Sequence, residues 1–433
     1  MLIDEFSSFE NKYLFEKKYD DFSYWVYSRY AIFSYLTKLQ EGIEMSSQKM
    51  TDGLICGIKN MIINSLRYRH KIKKIGHRDL LILNHERRVL KDGYYRCIYT
   101  EQIEEHYPNS VVLERPYFYK HLKPIQTERI FYSDCVELES LIYGFLECKL
   151  KAKKYRKAKK FFEKEMSIVA PEFQHMVKQE VSVEALSEML TRLYLLYCVK
   201  RKKFEKIIQK IQPKVILEVV SYNLDCMIFN EIAYEKKINT IELQHGVMSG
   251  SIAYYYPKNV LIKQFPQKVF LFSDYWKNCI SVPLEDKNVI SVGYPYFEEQ
   301  VKKYQKINCD KNKTTKVILF LSQWTIGENF SKFAVEFNNL INGKWKIIYK
   351  LHPGEYANWK KRYPWLVNSG IEVVDSLRHN IYEYFAVSNV QVGVSSTAIF
   401  EGLGFGLDTF IFNTVSAECM KRLCQDGFAA EVN

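Results

Sequence analysis

The sequence predicts an α/β protein with two mostly parallel sheets and helical additions at its N-terminus. Three observations carry this reading. From Pro213 onward, short apolar runs alternate with helical stretches, the pattern of right-handed βαβ units. A polar, lysine-rich stretch at 300–316, with Asp310-Lys311-Asn312-Lys313, divides that alternation in two. Two short motifs, Lys350-Leu351-His352-Pro353-Gly354 and Ser395-Ser396-Thr397, each close an apolar run. The carboxyl ends of strands are where open α/β sheets bind ligands.

The elements follow in chain order. Residues 1 to about 75 read as helical, with Phe22, Trp25, Val26, Tyr30 and Phe33 on one apolar stripe. Asp79-Leu80-Leu81-Ile82-Leu83 is the first buried strand, and Asp92-Gly93 is a turn signal. Residues 136–166 read as one long helix. Its second half carries Lys149, Lys151, Lys153, Lys154, Arg156, Lys157, Lys159 and Lys160. Such a run is either a solvated helix face or a docking surface for an anionic membrane, where each nearby Lys or Arg adds about 1 kcal/mol. Strands then fall at 214–220, 240–243, 268–272 and 288–293, with a helix at 225–236. Beyond the linker, strands fall at 317–321, 346–350, 371–374, 390–394 and 409–412, with helices between them. The whole is two Rossmann-like sheets joined by a linker.

Composition bounds the class. The chain has 433 residues, 47% apolar and 26% charged, which is globular composition. A net charge of +12 favours an anionic partner: a nucleotide, an acidic polysaccharide or an anionic lipid surface. Ten cysteines without metal-type spacing read as reduced thiols in a cytoplasmic protein. Met1-Leu2-Ile3-Asp4-Glu5 turns acidic at once, so no signal peptide is expected. No window approaches ~18 uninterrupted apolar residues, so no membrane-spanning helix is expected. No DxD-type motif stands beside a strand end, and neither a metal nor another cofactor is expected.

The motifs carry the chemistry. Pro353 cannot donate to a strand ladder, so the strand stops and leaves His352 at the sheet's carboxyl edge. An imidazole there can donate to a phosphate or leaving oxygen; the alternative is a structural loop histidine. Ser395, Ser396 and Thr397 sit at or near the N-cap of a following helix, whose free N–H groups make an anion site. The alternative is a plain cap. Glu401, inside that helix, could reach a ribose hydroxyl or be a surface charge. Residues 352 and 395 are separated by a span that allows one βαβ step. Ser322-Gln323 ends the first strand after the linker and should line the same cleft. Gly402, Gly404 and Gly406 suggest close backbone packing.

On these residues the chain resembles glycosyltransferases of the two-domain GT-B fold. It is most similar to the bacterial sialyltransferase and Kdo-transferase type, with its HP motif and downstream Ser-Ser motif. The resemblance covers roughly 240–412. It implies that His352, Ser395, Ser396 and, less directly, Thr397 hold the phosphate of a CMP-sugar, with Pro353 and Lys350 in the same motif. Gln244-His245-Gly246 is similar to the His-Gly motif of CDP-glycerol glycerophosphotransferases, in which the His is taken as the acceptor base; their longer tryptophan-containing motif is absent. Asp92-Gly93 is the only near match to the acidic base of the sialyltransferase group. Residues 1–305 are then an acceptor domain and 306–433 a donor domain. The expected partners are a nucleotide-sugar, a glycan or lipid-linked acceptor and an anionic membrane surface, with no nucleic acid. The expected place is the cytoplasm, with peripheral attachment at the inner face of the cell membrane. A UDP-sugar or CDP-polyol transferase, an epimerase-like enzyme, and a non-catalytic sugar-nucleotide-binding partner are the alternatives.

Overall fold

A computed structural model describes residues 2–10, 12–40, 51–85, 88–117, 119–257, 260–308, 316–324, 326–376 and 378–433. Arg87 and the linker residues Asp310 to Lys313 lie outside these. The chain divides into two compact units, one of residues 1–245 and 252–292, the other of 246–251 and 293–433. The junction expected at 305/306 lies inside a helix, Pro295–Asn308, that packs within the second unit.

The first unit holds β1 (Leu80–Leu83), β2 (Val89–Lys91), β3 (Tyr94–Arg96), β4 (Ser110–Glu114), β5 (Ile130–Tyr132), β6 (Val215–Val219), β7 (Asn239–Leu243), β8 (Lys268–Leu271) and β9 (Val289–Ser291). Seven of these make a wholly parallel sheet in the order β5-β4-β1-β6-β7-β8-β9. Parallel strands are covered on both faces, which is why Leu81, Ile82, Val111, Val112, Ile216 and Leu217 form an unbroken buried band. β2 and β3 make a separate hairpin. Asp92 and Gly93 are its two-residue turn, with φ of +52° and +80°. Both signs are positive, as this kind of turn requires.

The second unit holds β10 (Lys316–Leu321), β11 (Trp345–Lys350), β12 (Glu372–Val374), β13 (Val390–Gly393), β14 (Asp408–Phe412) and β15 (Ala430–Val432). Its sheet is also wholly parallel, in the order β12-β11-β10-β13-β14-β15. Counted along the chain this is 3-2-1-4-5-6, and the first sheet without its hairpin begins in the same order. The order reverses between β10 and β13 in one sheet and between β1 and β6 in the other. Each such switch point opens a crevice at the strands' carboxyl ends. The fold is α/β with two Rossmann-like units, the pair of sheets that makes up a GT-B fold.

Several expectations change. The long helix is two, Asp134–Lys149 and Lys153–Val177. Lys151 takes φ +42° between them. Its N–H donates to the Cys148 carbonyl and that of Ala152 to Glu147, which closes the first helix in a Schellman motif. Of the N-terminal stripe, Phe22, Trp25 and Val26 are buried, but Tyr30 is exposed beside the Tyr222 ring, 4.6 Å away. The span from 352 to 395 contains two crossovers, because β12 intervenes. Gly402 lies against Gln391 and Gly404 against Phe297, while Gly406 instead supplies a turn at φ +73°.

The N-terminal helices are fastened by one buried ion pair. Arg29, 2% exposed, donates Nε to Glu10 at 2.7 Å. It also donates to the carbonyls of Ile252 at 2.6 Å and Tyr255 at 2.7 Å. Trp25 Nε1 donates to the same Glu10 at 2.8 Å. Removing one member strands the other as a buried charge, a loss of about 3–5 kcal/mol. Arg29→Met is therefore expected to lower unfolding free energy in urea by about that amount, and adding Glu10→Gln to recover part of it. A loss for Arg29→Met no larger than that of an average surface substitution would contradict the assignment.

Candidate functional site

The crevice of the second unit is built from the ends of β11, β10 and β13, which lie side by side. Ser322 and Gln323 follow β10. The Gln323 side chain spans the switch point: Nε2 donates to the Ser395 carbonyl at 2.7 Å, and Oε1 accepts from the Ser395 N–H at 3.1 Å and hydroxyl at 3.2 Å. One amide thus fixes both backbone groups of Ser395. Ser396 is the N-cap of helix Thr397–Gly404, its hydroxyl accepting from the Ala398 N–H at 3.3 Å. The positive end of this helix therefore opens at the crevice. Thr397 Oγ1 lies 3.1 Å from where a Cβ on Gly246 would stand, so a side chain there would press on this N-terminus. Gly246 is needed for close approach and not for a left-handed turn.

His352 and Pro353 are exposed in the turn after β11. His352 Nδ1 accepts from the Gly354 N–H at 3.1 Å. The neutral ring then carries its proton on Nε2, the atom suited to donate to an anion. The turn is anchored by Glu355, which is 1% exposed. Its carboxyl accepts from the His352 N–H at 2.7 Å, Tyr363 at 2.6 Å and Ser322 at 3.2 Å. A Cβ on Gly327 would lie 2.4 Å from that carboxyl and 2.0 Å from the Tyr363 hydroxyl, so only glycine admits this packing. Sequence reasoning missed Glu355. Its only signal is an acid three residues after the histidine, the spacing of a capping box, which the structure shows.

Two expected residues are less central. Lys350 is half-buried and donates to the Tyr356 hydroxyl at 3.2 Å; burial holds its ammonium below the ordinary range. Glu401 accepts from the Tyr382 hydroxyl at 3.0 Å, and burial pushes its carboxyl up to about 7. It is neither a free surface charge nor placed at the helix N-terminus.

The crevice of the first unit gathers different groups. His85 follows β1, Tyr222 follows β6 and His245 follows β7. The His245 ring centroid lies 5.9 Å from that of His85 and 6.1 Å from that of Tyr222. The Tyr222 hydroxyl is 3.5 Å from His245 Nε2, and the Tyr99 hydroxyl donates to the His245 carbonyl at 2.7 Å. His245 Nδ1 is buried without a hydrogen-bond partner. Burial, then the charge of His85, depress the His245 pKa to about 4, so the ring is neutral at physiological pH. Asp92 is not in this group; it is exposed in its hairpin turn. His85 and Tyr222 carry no motif, and only their position just after predicted strands could have flagged them.

Behind this crevice, Glu218 and Glu242 are register neighbours on β6 and β7, both fully buried. Burial first, then Glu242, pushes Glu218 up to about 8, so the pair retains a proton at neutral pH. A cavity of about 1050 Å³ lies elsewhere in the first unit, lined by Asp20, Tyr194, Arg201, Glu231 and Lys263 among others. It contains none of the sheet-edge residues above. Among the described residues, no group of three or more His, Cys, Asp or Glu side chains is placed to hold a metal ion.

No protein-family model matches this chain, and no curated protein matches it. Similar folds occur among solved structures of enzymes. UDP-GlcNAc 2-epimerase from Methanocaldococcus jannaschii aligns over 82% of this chain and 88% of its own, with 10% identity and a TM-score of 0.46. The wall teichoic acid polymerase TagF aligns over 83% and 77%, with 10% identity and a TM-score of 0.40. UDP-GlcNAc 2-epimerase from Neisseria meningitidis, bound to UDP-GlcNAc, aligns over 55% and 69%, with 14% identity and a TM-score of 0.39.

The depressed histidine has a consequence for stability. Unfolded, His245 takes its proton near 6.5; folded, only near 4. Between these values the unfolded chain binds more protons, so the contribution is intact above pH 6.5 and is lost as pH falls towards 4. His245→Asn is expected to flatten this limb of a stability–pH curve measured by urea denaturation. An identical acid loss in the variant would show that the ring is not held neutral.

Proposed function

We propose that this chain is a metal-independent GT-B glycosyltransferase. It moves a sugar from a nucleotide-sugar donor, with a CMP-activated sialic acid-like or Kdo-type sugar favoured, to a surface-polysaccharide or lipid-linked glycan acceptor. The second unit is the donor side and the first the acceptor side. The observation that supports this most is the Gln323 clamp, which holds Ser395 beside a helix N-terminus at the switch point of a parallel sheet. In this reading the helix N-terminus, the hydroxyls of Ser396 and Thr397, and Nε2–H of His352 are the groups that meet the donor phosphate. Such groups stabilise the charge on a departing phosphate, commonly the largest part of a catalytic effect.

His245 is the proposed base. It is neutral, and a neutral imidazole can accept the proton of a sugar hydroxyl as that oxygen attacks the anomeric carbon. The proposal includes a place in the cytoplasm, with peripheral attachment at the inner face of the cell membrane. A second reading, a CDP-polyol or UDP-sugar transferase or an epimerase-like enzyme, is favoured by the same histidine standing before Gly246. The phosphate-edge residues do not read a base, so a nucleotide panel separates the readings. Stabilisation by CMP and CMP-sugars, through mass action on the folded state, supports the first; stabilisation by UDP or CDP ligands alone supports the second. Donor hydrolysis without acceptor separates an enzyme from a binding partner.

Two substitutions test the roles. His352→Ala is expected to weaken donor binding or turnover at least tenfold, about 1.4 kcal/mol. Unchanged donor kinetics in a folded variant would remove His352 from the site. His245→Ala should lower kcat by about 10² or more with nucleotide affinity nearly intact, whereas Asp92→Asn should keep most activity. The reverse pattern would make Asp92 the base, and full activity in both would exclude both.

A further inference from the structure

The helical part of the first unit leaves an unusual face exposed. On helix Asp134–Lys149, Leu141, Ile142, Phe145 and Leu146 recur along one side, and Leu150 follows directly; all five are exposed, Phe145 at 62% and Leu150 at 71%. Helix Thr51–Lys74 packs along this helix, with Asn64 donating to Asp134 at 3.1 Å. It exposes Ile58, Ile62, Ile63 and Leu66 at the same kind of spacing, Leu66 at 73%. Soluble surfaces scatter single apolar residues; eight on two packed helices, with Leu150 directly after one of them, exceed that scatter.

Exposed cations stand beside these residues. Lys149, Lys151, Lys153, Arg156, Lys157 and Lys160 are exposed at one end, and residues 151–162 contain no acid. Lys59, Arg67 and Lys71 are exposed on the other helix. The Lys149 ammonium lies 5.5 Å from the Phe145 ring, its stem running over apolar surface. The acids of helix Asp134–Lys149 are engaged with other side chains: Asp134 with His121, Glu137 with Lys200, Glu139 with Lys203, and Glu147 with Tyr143. Two of the eight basic side chains in the tract turn inward: Lys154 to the Tyr194 ring and Lys159 to the Glu184 carbonyl and Ser187.

We infer that this two-helix face docks on an anionic lipid bilayer, its apolar ridge entering the interface and its basic rim pairing with phosphate headgroups. A lipid surface fits better than a second copy, because a copy brings the same net positive charge and the same exposed cations to this face, whereas an anionic headgroup layer brings their counter-charges. Among the described residues no helix is long and apolar enough to cross a membrane, so the attachment is one that lies on the surface. The inference deepens the membrane-facing acceptor reading above, but its test needs no nucleotide or transfer and fails separately.

The test is co-flotation of the full chain with phosphatidylcholine vesicles, alone and with added phosphatidylglycerol. Wild type should bind the anionic vesicles at least tenfold better, and added salt should weaken but not abolish that binding. Lys153→Gln with Lys157→Gln should remove much of the salt-sensitive part. Phe145→Ser with Leu146→Ser should lose binding at every salt concentration; both positions are exposed, and thermal melts check that the variant folds. Equal binding to both vesicle types, or no effect of the serine pair, overturns the proposal. So does a wild-type dimer that the serine pair converts to monomer, which would make a second copy the occupant.

Discussion

The buried carboxyl of Glu355 is the point on which the second unit's site depends. It receives the His352 N–H, the Tyr363 hydroxyl and the Ser322 hydroxyl, and so ties the turn after β11 to the end of β10. Hydrogen bonds of this kind contribute about 1.5–3 kcal/mol where the acceptor is charged, and a buried donor left unmatched costs about as much. The Gln323 amide repeats the device one strand further on, joining β10 to β13. Three strand ends are thereby locked before any ligand arrives. In the proposed role, an anion at this edge would meet groups already placed, which lowers the cost of ordering them.

The two crevices differ in electrostatic character. The second unit offers donors: a helix N-terminus, hydroxyls and an imidazole whose Nδ1 is occupied by Gly354. The first offers an acceptor: a histidine stripped of its proton by burial and by a second histidine. The Glu218 and Glu242 pair beside it keeps its proton by the same low-dielectric argument. Raised carboxyl values cost stability as pH rises through them, so this pair is retained against its own contribution to folding.

Much of this was legible in the sequence. Strand–helix alternation located β6 to β9 and β10 to β14 because buried parallel strands read as continuous apolar runs. His352 and Ser395 to Thr397 were visible because polar residues directly after such runs fall at the sheet edge. β2 to β5 and β15 were missed, although the turn between β2 and β3 was read; all but β4 are only three residues long, so little apolar signal accumulates. The break at Lys151 was missed because lysine, not glycine, takes the left-handed position there. Glu355 carried only the spacing of an acid three residues after His352, and the reach of Gln323 carried no signal, since the bonds to Ser322 and Ser395 join strand ends far apart in sequence.

The most direct measurement is the imidazole NMR of the chain during titration with CMP, with His352 and His245 assigned by substitution to Gln. The account predicts that the His352 resonances move saturably, and that those of His245, on the other unit, do not. Saturable shifts at His245 with none at His352 would contradict it, as would no response of either ring to any cytidine or uridine nucleotide.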